Sequence, residues 1–261
     1  MTKLSVNVNK IATLRNTRLH LQIPNLVRLS RIAIEAGAAG ITIHPRPDER
    51  HIKSSDVDSI ATLLKSLSLH SLTPLAPSSG IEFNIEGNPF EGDYMAHCLR
   101  VRPTQCTLVP DTLSQSTSDH GWSFPEDLDR LRPVVATLKS FGCRVSLFVD
   151  PIPGAMQFVV EAGAERVELY TEPYAAAFAN GDESASESYR ETAITARALG
   201  LGINAGHDLN LDNLGSFLDH VPNVLEVSIG HALIADALEF GLDETVRKYL
   251  AICNASRVRK S

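Results

Sequence analysis

The chain has 261 residues, 43% of them hydrophobic and 21% charged, proportions that exclude collagen-like, coiled-coil and intrinsically disordered readings. Its 24 basic and 31 acidic residues leave a net charge of −7. That balance argues against a nucleic-acid binder acting through a bulk positive field, so any phosphate must be held locally.

The longest stretch free of Asp, Glu, Lys and Arg, Ser66 to Ile81, is shorter than the roughly 20 apolar residues of a membrane span, and Pro74 and Pro77 interrupt it. The first residues, Met1 to Asn7, enter a polar–apolar alternation with no apolar signal core, so the expected location is cytoplasmic. Cys98, Cys106, Cys143 and Cys253 form no C-x-x-C pair, which fits reduced, buried thiols.

In chain order, strands are expected at Leu4–Val8, Ile41–His44, Ile81–Ile85, Gln105–Val109, Arg144–Val149, Val167–Tyr170, Leu201–Asn204 and Val224–Ile229. Helical periodicity falls between them, at Asn25–Ala36, Ser55–Leu67, Pro89–Arg100, Pro125–Ser140, Ile152–Ala162, a long segment within Tyr174–Leu199, Asp212–Leu218 and Ala232 to about Cys253. Gly37, Gly142, Gly163 and Gly200 each precede a strand, as helix-ending glycines in a left-handed conformation do. Eight strands alternating with helices predict one closed (β/α)₈ TIM barrel over residues 1–261, with a few extra helices. An open doubly wound sheet usually has fewer strands and a glycine-rich first turn, whereas Asn9–Arg15 contains no glycine.

Polar residues recur on every second position of several strands: Ser5 and Asn7, Thr42 and His44, Glu82, Asn84 and Glu86, Glu168 and Tyr170. A strand alternates faces, and the outer face of a barrel packs on helices, so this polar set must point into the lumen. Ser5, Glu82 and Asn84 read as hydrogen-bonded structural groups. Pro110 to Phe124, rich in Ser, Thr and Asp after the fourth strand, reads as an active-site lid, and Asn180 to Ser188 as a solvated excursion.

Chemistry in such barrels sits at the carboxyl ends of the strands. Those ends carry Asn7, Asn9 and Lys10, then His44 and Arg46, then Glu86, Glu168, Asn204-Ala205-Gly206-His207 and Gly230-His231. Imidazoles and lumen carboxyls together suit repeated proton transfer near neutral pH. Arg18, Arg46, Arg50 and Lys10 on the first two loops suit phosphate, as does the helix start after Gly230-His231.

The order and identity of these stretches resemble the pyridoxine 5′-phosphate synthase family. The resemblance runs through Val6–Arg18, Gly40–Arg46 with Arg50-His51-Ile52, Phe83–Gly87, Leu108-Val109-Pro110, Val145–Asp150, Asn204–His207 and Ile229–Ala232, covering all eight units. It implies a condensation, without metal or cofactor, of 1-deoxy-D-xylulose 5-phosphate with 3-amino-2-oxopropyl phosphate to pyridoxine 5′-phosphate, inorganic phosphate and water. It further implies that Glu86 and His44 accept protons, His207 donates one and Glu168 stabilises charged intermediates. Asn7, Arg18, Asp208, Gly230 and His231 would hold the aminoketone phosphate, and Arg46, His51 and Thr117 the deoxyxylulose phosphate. The implied partners are small phosphorylated substrates, with neither nucleic acid nor membrane, and the implied assembly is a homo-octamer. Many members carry Asp-His where this chain has Asn9-Lys10, and Lys10 is expected to serve the same sugar phosphate by charge. Other phosphate-sugar barrels are the alternatives: an aldolase, for which Lys10 is the one strand-end lysine, or a metal-dependent epimerase using His44 and His207. A catalytically inert barrel kept for binding is a third.

Overall fold

A computed structural model of the chain describes residues 1–69, 80–115 and 117–258. Most of the uncharged stretch Ser66–Ile81, including Pro74 and Pro77, lies outside the described residues, as does Ser116 of the expected lid. Among the described residues no helix is long and apolar enough to cross a membrane.

Eight parallel strands close on one another in sequence order: β1 (Lys3–Asn7), β2 (Gly40–Ile43), β3 (Glu82–Gly87), β4 (Gln105–Leu108), β5 (Arg144–Val149), β6 (Arg166–Leu169), β7 (Gly202–Ala205) and β8 (Val224–Ile229). The ring is completed by Ser5 opposite Ser228 on one side and Gly40 on the other. This is the expected (β/α)₈ barrel. Around it lie α1 (Asn9–Asn16), α2 (Leu26–Glu35), α3 (Ser54–Leu69), α4 (Tyr94–Val101), α5 (Leu128–Ser140), α6 (Met156–Ala162), α7 (Glu172–Ala179), α8 (Ser186–Ala198), α9 (Leu214–His220), α10 (His231–Phe240) and α11 (Leu242–Val258).

Three helical expectations change. The Asn9–Arg15 turn is itself α1, with Ile11, Ala12 and Arg15 buried. The long segment within Tyr174–Leu199 is two helices, because the chain turns at Asn180 and Gly181 (φ +75°) and passes through a short 3₁₀ turn before α8. The helix expected from Ala232 to Cys253 breaks at Gly241, whose φ of +80° ends α10. Gly37, Gly142, Gly163 and Gly200 do take positive φ, from +82° to +112°, where a side chain would be strained.

The apolar core is a ring outside the sheet. Outward strand residues such as Val6, Ile41, Ile85, Leu108, Leu147, Val167 and Val227 are fully buried. They meet helix faces spaced one or two turns apart, such as Leu26, Ala33 and Ile34 of α2 and Leu128, Leu131, Val135 and Leu138 of α5. The inward face is polar, as the alternation requires. Ser5 Oγ lies 2.7 Å from Thr42 Oγ1, and Thr107 Oγ1 donates to Asn84 Oδ1 at 3.0 Å. Nearer the amino end, Arg144 binds Glu82 and donates to Gln105 Oε1 at 2.8 Å, and Arg166 donates to Asn204 Oδ1 at 2.9 Å. Ser5, Glu82 and Asn84 are therefore the hydrogen-bonded groups they were read as. All four cysteines are free and buried.

Candidate active site

The carboxyl ends of the strands surround a cavity of about 470 Å³. Of the twelve site residues expected from sequence, eleven line it: Asn7, His44, Arg46, His51, Glu86, Thr117, Glu168, His207, Asp208, Gly230 and His231. Arg18 does not; it is exposed where the chain leaves α1. Lys10, in the first turn of α1, also lines the cavity.

The first two loops form a rigid bracket. Asn7 Oδ1 accepts the Asn9 backbone N–H at 3.0 Å, and Asn9 Oδ1 accepts that of His44 at 2.9 Å, joining the ends of β1 and β2. Asn7 Nδ2 then donates to Glu86 Oε2 at 3.2 Å. Beneath them Arg15 makes a two-pronged pair with Asp56, at 2.6 and 2.8 Å, with both side chains buried. Asn16 Nδ2 donates to the His51 carbonyl at 2.7 Å. These contacts fix His51, whose Nδ1 accepts the Ile52 N–H at 3.0 Å. Arg15, Asn16 and Asp56 lie in or beside the stretches that carried the resemblance, but periodicity alone gives them no role.

Arg46 lines the cavity and also has partners within the chain. One guanidinium nitrogen binds Asp111 Oδ2, and the other donates to the carbonyls of Thr112 at 2.6 Å and Gln115 at 2.9 Å. Arg46 thus ties down the expected lid, which contributes Thr117 and Ser118 to the cavity wall. Arg50, expected to suit phosphate, pairs with Asp48 and donates to the Leu113 and Gln115 carbonyls. Asp111, missed by sequence reasoning, is 4% exposed and also lies 3.6 Å from His44 Nε2. Its one sequence signal is an acidic residue just after the fourth strand.

On the far side, Thr117 Oγ1 lies 2.9 Å from His207 Nε2, and Asp208 Oδ2 lies 3.2 Å from Nδ1, an ion-pair contact outside hydrogen-bond alignment. The contact with this ring holds the Asp208 carboxyl below its ordinary value. Thr171 Oγ1 donates to the His207 carbonyl, and the rings of Tyr170 and Phe148 flank the imidazole at 5.7 and 6.4 Å. Gly206 is obligatory here. A Cβ would fall well inside contact distance of the Ser228 carbonyl, because the backbones after β7 and within β8 approach closely. Gly230 precedes α10, whose start no side chain caps, leaving its first N–H groups open to an anion.

Burial sets the proton affinities. It lowers His44 to about 3, helped by Arg46, and His51 to about 3, helped by His44, so both rings are neutral near pH 7. It raises Glu168 to about 7, against the opposing effect of His207, and Glu168 Oε2 has no hydrogen-bond partner. Burial and then the neighbouring Glu168 carry Glu86 well above the usual carboxylate range. Two facing carboxyls in one low-dielectric cavity do not both ionise readily, so near neutral pH they hold a proton available for transfer. Asp111 rises to about 6 by burial despite Arg46. Among the described residues no group of three or more His, Cys, Asp or Glu is arranged to hold a metal ion.

Comparison with known proteins adds two findings. The family model described as pyridoxal phosphate biosynthesis protein PdxJ matches residues 4–255. The pyridoxine 5′-phosphate synthase of Albidiferax ferrireducens is 52% identical over 254 residues, covering 95% of this chain and 96% of its own length. That of Xanthomonas campestris is 51% identical over 258 residues, covering 96% of each. Among solved structures, thiamine phosphate pyrophosphorylase of Pyrococcus furiosus superposes with a TM-score of 0.59 at 12% identity, over 98% of this chain and 96% of the other. Phosphoribosylanthranilate isomerase of Thermotoga maritima does so with a TM-score of 0.56 at 14% identity, over 98% and 100%. These two likenesses concern the barrel alone.

Proposed function

The chain belongs to the pyridoxine 5′-phosphate synthase family, and from that premise we propose that it condenses 1-deoxy-D-xylulose 5-phosphate with 3-amino-2-oxopropyl phosphate. The products are pyridoxine 5′-phosphate, inorganic phosphate and water. The observation that carries this reading is the convergence of Glu86, Glu168, His44 and His207 on one cavity at the carboxyl end of the barrel. Ring closure from an aminoketone and a sugar ketone needs several proton transfers, and burial sets His44, Glu86 and Glu168 well apart in proton affinity.

Desolvation and the neighbouring Glu168 make Glu86 favour its protonated form. The ammonium of a bound aminoketone supplies the opposite charge that returns it to carboxylate, the form that accepts a proton. His44, neutral at pH 7, is the second acceptor. His207, braced between Thr117 and Asp208, faces the cavity as the donor. Glu168, poised near neutrality, offsets positive charge on the intermediates. The open start of α10 at Gly230-His231, with Asn7 and Asp208, would receive the aminoketone phosphate. His51, Thr117 and Lys10 would receive the sugar phosphate, and Arg46, whose Nε has no partner among the described residues while its other two nitrogens hold Asp111 and the Thr112 and Gln115 carbonyls, would join them.

Arg18 lies in a segment with four exposed apolar side chains, Leu14, Leu19, Leu21 and Ile23. Such exposure favours association with further copies of the chain. A homo-octamer in the cytoplasm is the assembly we propose, with Arg18 reaching phosphate across an interface rather than within one chain.

The deciding experiment incubates the purified protein with both substrates and measures pyridoxine 5′-phosphate and phosphate. Product in chelator-treated enzyme supports the proposal. Activity toward a single sugar phosphate, abolished by chelator, would favour a metal-dependent epimerase instead, and no turnover of either would favour an inert binding barrel.

A further inference from the structure

Asp111 belongs to none of the roles assigned above, yet it is buried behind the cavity wall and held at two points. Its backbone carbonyl accepts a hydrogen bond from Asn88 Nδ2 at 3.0 Å, and its carboxylate is gripped by Arg46. The same oxygen that binds Arg46, Oδ2, lies 3.6 Å from His44 Nε2. Both partners are buried too: His44 is 7% exposed and Arg46 4%. The His44 backbone is fixed independently by Asn9, so the imidazole is the part left to be oriented.

We infer that Asp111 is a positioning residue for His44, selecting the tautomer protonated on Nε2 and leaving the Nδ1 lone pair to take the substrate proton. Two physical facts support this. A carboxylate beside one imidazole nitrogen fixes the ring's tautomer and stabilises the imidazolium that forms when the other nitrogen accepts a proton. His44 needs that help, because its burial and the Arg46 charge both disfavour imidazolium. A separation of 3.6 Å between the neutral ring and the carboxylate is just beyond hydrogen-bond range, and contacts of this kind commonly tighten in the substrate complex. Arg46 has a second consequence in this arrangement. By neutralising Asp111 and holding it still, it keeps a buried carboxylate ionised where it is useful.

The inference rests on His44 being a proton acceptor in the proposed reaction, but its test has an arm that does not. In the substrate-free protein, ¹⁵N resonances of His44, assigned by their loss in His44→Gln, should report a proton on Nε2. In Asp111→Asn they should report a mixed tautomer population. In turnover, Asp111→Asn should lose about a hundredfold in kcat, the scale of a general base, with KM for both substrates within threefold. The double variant Asp111→Asn, His44→Gln should be no slower than His44→Gln alone, since a residue acting through His44 has nothing further to remove. Should Asp111→Asn fail to fold, Asp111→Glu keeps the charge and should keep kcat within tenfold of the parent. An unchanged tautomer, a raised KM with kcat retained, multiplying losses in the double variant, or an inactive Asp111→Glu would overturn the inference. A parent protein that forms no pyridoxine 5′-phosphate while His44 keeps its Asp111-dependent tautomer would overturn the functional reading alone.

Discussion

Replacing Glu168 by Gln should make the protein more stable in alkaline solution while impairing it as a catalyst. Glu168 is 4% exposed, one of its oxygens has no partner, and burial raises its pKa from 4.5 to about 7. Between those values the folded chain retains a proton that the unfolded chain gives up. The stabilisation is therefore complete below about pH 4.5 and disappears as pH rises through about 7. By pH 8 the parent has lost about 3 kcal/mol that a neutral side chain would not lose, against about 1 kcal/mol at pH 5. Gln has the shape of the protonated acid and no charge to bury. Its advantage should grow by about 2 kcal/mol across this range, roughly 4–8 °C in melting temperature for a chain of this size. Thermal unfolding of both proteins at pH 5, 6, 7 and 8, followed by circular dichroism, measures it. A difference in melting temperature that does not change with pH would refute the reasoning. The same variant should lose turnover, because an amide cannot offset the positive charge of an intermediate.

Glu86→Gln should abolish turnover and leave the melting temperature at least as high as the parent's, since the amide accepts no proton; near-parental rates would remove Glu86 from its role. Gly206→Ala should lower stability by several kcal/mol and disturb His207, because the new methyl group collides with the Ser228 backbone rather than with a movable side chain; an unperturbed melting curve would contradict the close approach of the two strands. Lys10→Met should raise KM for deoxyxylulose phosphate about tenfold with little change for the aminoketone, the size of one charge-assisted contact. Steady-state kinetics with each substrate varied in turn distinguishes the two, and unchanged KM values would take Lys10 out of the site.

Much of this architecture was legible because each signal had one physical cause. The polar alternation of Glu82, Asn84 and Glu86 can only mean that one face avoids the helices, and a glycine before a strand marks a left-handed helix end. The same logic located His44, His207 and His231, since strand ends converge in a closed barrel whatever lies between them. Helix breaks were harder. Gly241 interrupts a run whose apolar spacing continues on both sides, so periodicity reads through it. The α1 helix is short and polar, and only its packing against the barrel reveals it. Arg46 shows a different limit: its type predicts an anion partner, but whether that anion is a substrate phosphate or the carboxylate of Asp111 depends on the path of a segment 65 residues later. Arg18 shows a third: its charge suits phosphate, but the fold leaves it exposed and outside the cavity wall.

With the apolar core lying in a ring between strands and helices, and the lumen filled by groups such as Ser5, Thr42, Asn84 and Thr107, folding and chemistry draw on two almost disjoint sets of positions. Each strand assigns one parity to each task. Substitution at the inner parity can then explore new reactions without eroding the hydrophobic ring, and drift at the outer parity can retune thermal tolerance without moving the cavity. A scaffold organised in this way can take on new chemistry at its lumen while its hydrophobic ring stays intact.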